Sequence, residues 1–266
     1  MKRTTLALLA CLFCLTPVFA QSPQPWAKET LGKSTRHQEW VAIKSGDRTI
    51  NAFIVYPETK TKAPAVLVIH EIYGLTDWVQ TVADKLAANG YIAIAPDLLS
   101  GLGPTGKGSA ELMGPDATRA ISTVTPDQVT ADLNAVADYV KKLPAANGKL
   151  AVTGFCWGGG QSFRFATNRK DLSVAFVFYG TPPTDVTAIN VPVYGFYAGN
   201  DARVDATIPA STDAMKAANK KYHPVTYDGA GHGFMRMGED PANTVPANVT
   251  AHDQSWQRML AILKTI

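Results

Sequence analysis

The chain has 266 residues, 46% of them hydrophobic and 18% charged, a balance that excludes disordered and fibrous classes and leaves an ordinary globular protein. Its formal charge of +3 counts Lys2 and Arg3, which fall in a leader expected to be removed; about +1 remains, and no basic surface for nucleic acid is implied. Three cysteines are too few for a disulfide scaffold, and with Cys11 and Cys14 in the same leader only Cys156 is expected in the mature chain.

The leader reads Met1-Lys2-Arg3, an apolar run from Leu6 to Leu15, Pro17, and the small-residue exit Val18-Phe19-Ala20. That is the pattern of a secretory signal peptide cut after Ala20, with a retained anchor as the alternative; the apolar centre is shorter than the ~20 residues a spanning helix needs. The expected product is one periplasmic or secreted domain over residues 21–266, a monomer with no membrane contact once the leader is gone. A lone thiol in an oxidising compartment is either buried and inert or kept for chemistry.

Gln21 to Pro25 reads as a short tail. Glu39 to Ile43 and Thr49 to Tyr56 alternate and flank Ser45-Gly46-Asp47-Arg48, which predicts an antiparallel hairpin with one solvated face. Five nearly continuous apolar runs follow, Ala65–Ile69, Tyr91–Ala95, Leu150–Thr153, Val174–Phe178 and Val193–Tyr197, as expected of parallel strands buried on both faces. Helices are predicted over Trp78–Asn89, stopped by Gly90, and over Asp127–Lys142, where Thr125-Pro126-Asp127-Gln128 combines a capping box with Pro at the first helical position. Further helices are expected at Gly158–Thr167, around Pro209–Lys220, and from about Asn248 to Leu263. Leu99 to Ser122, rich in Gly, Pro and Ser, is the one long stretch without periodicity and reads as a functional flap. Alternation of strand and helix gives an α/β fold: three layers, a mostly parallel central sheet with an N-terminal antiparallel hairpin, and helices on both faces. Trp26, Trp40 and Trp78 read as apolar core, with a pocket lining as the alternative.

Gly154-Phe155-Cys156-Trp157-Gly158 lies where an apolar strand stops and a helix begins. This is a nucleophile elbow with cysteine in place of serine, and the helix start beside the sulfur is expected to favour thiolate. A hydrolase of this type takes its acid and its base in that order after the nucleophile, and both are present at strand ends. Asp201 follows the run ending at Tyr197, with Asp205 as a rival acid, and His232 sits in Gly229-Ala230-Gly231-His232-Gly233-Phe234 after the strand-like Val225-Thr226-Tyr227. His37, His223 and His252 read as surface or packing residues. No metal is expected, because H-E-x-x-H and paired-Cys spacings do not occur in the expected mature chain and His70-Glu71 are adjacent. No cofactor is implied.

These residues resemble the dienelactone hydrolase family of α/β hydrolases over nearly the whole mature length. The resemblance rests on His70-Glu71-Ile72-Tyr73-Gly74, Ala95-Pro96-Asp97-Leu98, Gly154-Phe155-Cys156-Trp157-Gly158-Gly159, Asp201, and His232-Gly233-Phe234. It implies Cys156 as nucleophile, His232 as base, Asp201 as its orienting partner, and Glu71 in contact with the resting thiol, linking thiol ionisation to arrival of the substrate. It also implies an oxyanion hole from the Trp157 and Ile72 backbone N–H groups, and Arg236 as the group that holds a substrate carboxylate. The family's second substrate arginine, soon after Pro-Asp-Leu, has no counterpart here, since Leu99-Ser100-Gly101-Leu102-Gly103 follows.

The expected activity is therefore cleavage of a small ester or lactone through a Cys-His-Asp triad and an acyl-cysteine. A non-catalytic exported protein that captures a small carboxylate on the same scaffold is the reading from another class. A thiol redox protein is the third, and it lacks a second nearby cysteine.

Overall fold

In the computed structural model residues 24–266 are described, and the expected leader lies outside them. The strands are β1 (Gln38–Ser45), β2 (Arg48–Val55), β3 (Ala63–Ile69), β4 (Ile92–Pro96), β5 (Ala146–Phe155), β6 (Val174–Phe178), β7 (Val193–Asn200) and β8 (Tyr222–Gly231). They form an eight-stranded sheet in the order β1-β2-β4-β3-β5-β6-β7-β8. The predicted hairpin is β1–β2, paired from Gln38↔Val55 to Ser45↔Arg48, and β2 joins β4 antiparallel. From β4 through β8 every pairing is parallel. The chain winds outward from β3 to β4, then crosses back to place β5 on the other side of β3. The carboxyl ends of β3 and β5 therefore flank the crevice where such sheets bind ligands.

The helices are α1 (Pro25–Gly32), α2 (Asp77–Ala88), α3 (Pro115–Ile121), α4 (Pro126–Lys142), α5 (Trp157–Asn168), α6 (Ala202–Asp205), α7 (Ile208–Ala217), α8 (Phe234–Met237) and α9 (Pro246–Leu263). Successive strand residues point to opposite faces, so each parallel strand feeds two cores. Leu67 and Ile69 pack with Leu133 and Val136 of α4 and Phe163 of α5, whereas Val66 and Val68 pack with Trp78 and Val82 of α2 and Met259 of α9. Burying each such side chain is worth about 1.5–3 kcal/mol, which is why unbroken apolar runs are tolerated only in strands covered on both sides. Among the described residues no helix is long and apolar enough to cross a membrane.

Three expectations need correction. The tail expected at Gln21–Pro25 ends in α1, whose Ala27 is buried against the α2 side of the sheet. The flap at Leu99–Ser122 contains α3, which offers the core only Ala117 and Ile121; two apolar residues one turn apart are too few to register as a period. At α4, the Thr125 hydroxyl caps the Gln128 N–H at 3.2 Å, but the Gln128 side chain bonds Asp132 instead of completing the reciprocal box.

Candidate active site

Cys156 stands between the end of β5 and the first turn of α5 with φ 57° and ψ −118°. A non-glycine residue held there costs about 1–3 kcal/mol, and the sheet supplies the restraint. The Cys156 N–H donates to the Phe178 carbonyl at 3.0 Å, and its carbonyl accepts from Gly160 N–H at 3.2 Å. The flanking glycines serve close approach. A Cβ on Gly154 would lie 2.0 Å from the Gly158 oxygen, and one on Gly158 would lie 2.3 Å from the His70 oxygen.

β7 and β8 carry the other two expected members. His232 Nδ1 meets Asp201 Oδ2 at 2.5 Å, across 31 residues of chain. Asp205, the rival acid, is the last residue of α6 and contributes its N–H to the Asp201 carbonyl at 2.9 Å. The two strand ends are tied to each other by Asn200 Nδ2 donating to the Gly229 carbonyl at 3.1 Å. The Tyr179 ring then packs edge-on against the imidazole at 5.0 Å between centroids, which fixes the plane of His232. Among the described residues no hydrogen bond joins the Cys156 thiol to His232; the three residues stand at the ends of β5, β7 and β8.

Burial and the charge around the sulfur disfavour its ionisation. Burial comes first and the nearby Glu71 carboxylate second, and together they push the Cys156 thiol up to about 12. The Trp157 and Ile72 backbone N–H groups face the sulfur, and they and the Arg203 guanidinium pull the other way without prevailing. The helix start favours thiolate as expected, but burial and the Glu71 carboxylate outweigh it. The two N–H groups nevertheless stand where the resemblance puts an oxyanion hole.

Glu71, buried at 2% exposure, pairs with Arg236: Nε to Oε2 is 3.0 Å. Arg236 therefore spends one edge of its guanidinium on the protein's own carboxylate, a pairing across 165 residues that its place in the sequence does not reveal.

Sequence reasoning gave His70 no role, yet it is completely buried in this loop. Leu98 N–H donates to its Nε2 at 3.1 Å, so Nδ1 carries the hydrogen and donates to the Glu71 carbonyl at 2.7 Å. Burial lowers its pKa and keeps the ring neutral. Its ring stacks on Trp157 at 5.7 Å, so one imidazole braces both the Glu71 turn and the first residue of α5. Asn248 of α9 was also missed; its Oδ1 accepts from Gly231 N–H at 2.9 Å and holds the residue before His232. His70 was quoted as part of a motif without a role, and nothing in the sequence pointed to Asn248.

Comparison with known proteins gives a consistent result. Residues 50–266 match the model of the dienelactone hydrolase family. A Salmonella typhi protein assigned as a carboxymethylenebutenolidase is 32% identical over 237 residues, covering 82% of this chain and 84% of its own. A protein of the same assignment from Methylorubrum extorquens is 31% identical and covers 82% of this chain and 78% of its own. Among solved structures, a Klebsiella pneumoniae protein assigned as a dienelactone hydrolase superposes with a TM-score of 0.77 at 27% identity, over 88% of this chain and 100% of the other.

Proposed function

Because the chain belongs to the dienelactone hydrolase family, and so to the ester and lactone hydrolases, we propose that it cleaves a small ester or lactone by covalent catalysis at Cys156. The observation that carries this reading is the 2.5 Å His232–Asp201 contact at the ends of β7 and β8, in a chain whose strained Cys156 at the end of β5 has its sulfur facing two backbone N–H groups. Asp201 holds the imidazole with its Nδ1 hydrogen inward, leaving Nε2 as the base. The thiol proton passes to Nε2 while the sulfur forms a bond to the carbonyl carbon. The negative charge that develops on oxygen is met by the Trp157 and Ile72 N–H groups. As the C–O bond breaks, His232 returns the proton to the leaving alcohol; water then adds to the acyl-cysteine with His232 again as base, and C–S cleavage releases the acid.

The Glu71–Arg236 pair suits the role that the resemblance implies for Glu71. A substrate carboxylate that engages Arg236 competes with Glu71 for the guanidinium, so arrival of the substrate changes the charge beside the thiol while His232 remains the base that takes its proton. The proposal includes export, with Met1–Ala20 as a leader and a periplasmic or secreted monomer as product. N-terminal sequencing and gel filtration of the exported form test that part.

The test of the chemistry is hydrolysis of a short-chain p-nitrophenyl ester by purified protein and by Cys156→Ala. The variant is expected to keep its circular dichroism spectrum and lose turnover by about 10⁴-fold or more, a barrier increase of at least ~5 kcal/mol. Retained turnover in the pure variant removes Cys156 from the reaction. Ligand binding without turnover by the wild type favours a binding protein on this scaffold.

A further inference from the structure

A cavity of about 610 Å³ lies between the β1–β2 hairpin, the loop after β3 and the stretch from Gly106 to Gly114. Its size is that of a ligand pocket. Trp40, Tyr73, Leu75, Leu112 and Met113 give it an apolar lining. Trp40 is 54% exposed and Met113 58%, so two large apolar side chains are left to water at its rim, against the trend of a chain whose other large apolar residues are mostly buried. Trp40 thus departs from the core role expected of it, whereas Trp78 is completely buried.

The wall is built rather than loose. Ser109 Oγ accepts the Leu75 N–H at 2.8 Å and donates to Asp97 Oδ1 at 2.6 Å, while Ser109 N–H donates to Asp97 Oδ2 at 2.8 Å. This stitches the flap to the end of β4 and to the loop that carries Glu71 and Ile72. Gly74, at φ +81°, makes the contact possible, since a Cβ there would lie 2.2 Å from Ser109 Oγ. Tyr73 links the cavity wall to the site, since its phenol feels the Glu71, Arg236 and Cys156 charges. Ile72 supplies an N–H to the sulfur, and the next residue, Tyr73, about 3.8 Å away between Cα atoms, lines the cavity.

We propose that this cavity is an apolar subsite that takes an alkyl or aryl arm of the substrate whose carbonyl reacts at Cys156, so that medium-chain or aryl esters are preferred over acetyl and methyl ones. The inference rests on the hydrolase reading and names the substrate class for it.

The experiment measures kcat/KM for two ester series, p-nitrophenyl acetate to octanoate and methyl to octyl acetate. In one of them kcat/KM should rise by about fourfold for each methylene that becomes buried. The double variant Trp40→Ala/Met113→Ala should lower the long-to-short ratio in that series at least tenfold. Val249→Ala, which removes an exposed apolar residue that does not line the cavity, should leave the ratio unchanged. Flat or falling series, or a ratio that survives the double variant, overturn the proposal. If the wild type turns over no ester at all, the hydrolase reading fails by itself, and the hydrolysis-resistant N-octylacetamide still tests the cavity. A rise in Tm over N-methylacetamide that the double variant abolishes supports the subsite, and its absence overturns it.

Discussion

At neutral pH the Cys156 sulfur carries its proton, because burial and the Glu71 carboxylate both disfavour a second negative charge in the crevice. Its reactivity should therefore be governed by pH and by Glu71 together. Alkylation of the wild-type thiol by iodoacetamide is expected to be slow at pH 7.5 and to climb steadily toward alkaline pH, with the half-ionised point near 12. Glu71→Gln removes the carboxylate and leaves the Arg236 cation uncompensated; both changes lower the thiol pKa and should speed alkylation at pH 7.5 by about three- to tenfold. Stopped-time mass spectrometry of the single label reads this, and fast alkylation independent of pH between 7 and 9 contradicts it. Cys156, Asp201 and His232 were legible in the sequence because each falls at a strand end in a fixed order. The protonation state of the thiol was not, since it depends on a residue 85 positions away.

At the scale of elements, the join between β5 and α5 works only because Gly154, Gly158 and Gly159 let backbones touch. The oxygens of Ile69 and His70 crowd the place of a Gly158 Cβ at 2.5 and 2.3 Å, and those atoms belong to rigid strand ends. Gly158→Ala should cost about 3 kcal/mol or more in urea unfolding. Gly32→Ala, with open space around its Cβ at the end of α1, should instead be neutral or gain up to about 1 kcal/mol. Equal effects at the two positions would show that glycine content, not close approach, matters. The elbow was readable from spacing alone, and β3, β6 and α9 from the continuous apolar runs and the helical pattern that agree with their burial. α1 and α3 were not, because each is one or two turns long and is held by tertiary packing instead of by its own pattern.

Across the whole molecule, the α2–α9 side is fastened by charge. Lys85 Nζ meets Glu239 Oε2 at 2.6 Å, and His252 Nε2 of α9 meets Glu239 Oε1 at 2.9 Å. Burial disfavours a charged His252, but the Glu239 and Asp253 carboxylates prevail and raise its pKa above 6.5. Burial likewise opposes a charged Glu239, and His252 and Lys85 hold it below 4.5. A raised histidine contributes stability that is full below its unfolded value and lost as pH climbs through the folded one; a lowered carboxylate loses its share as pH falls. The network should therefore be strongest between about pH 4.5 and 6.5. His252→Gln is expected to cost about 1–2 kcal/mol in that window and less at pH 8.5, by urea unfolding at each pH. A cost that is the same at both ends would show that packing, not charge, is lost.

The sequence by itself determined the parallel sheet, the hairpin at its edge and the order of the strand-end residues. Each of these depends on apolar period or turn chemistry within a few neighbouring positions. Only the tertiary structure decided that Arg236 faces Glu71, that His70 braces the loop beneath Trp157, that the Cys156 thiol rests protonated, and that Trp40 lines a cavity closed by Ser109 and Asp97. Those are pairings between segments tens of residues apart. Their energy depends on distance and on water removed from between them, which a linear pattern does not carry.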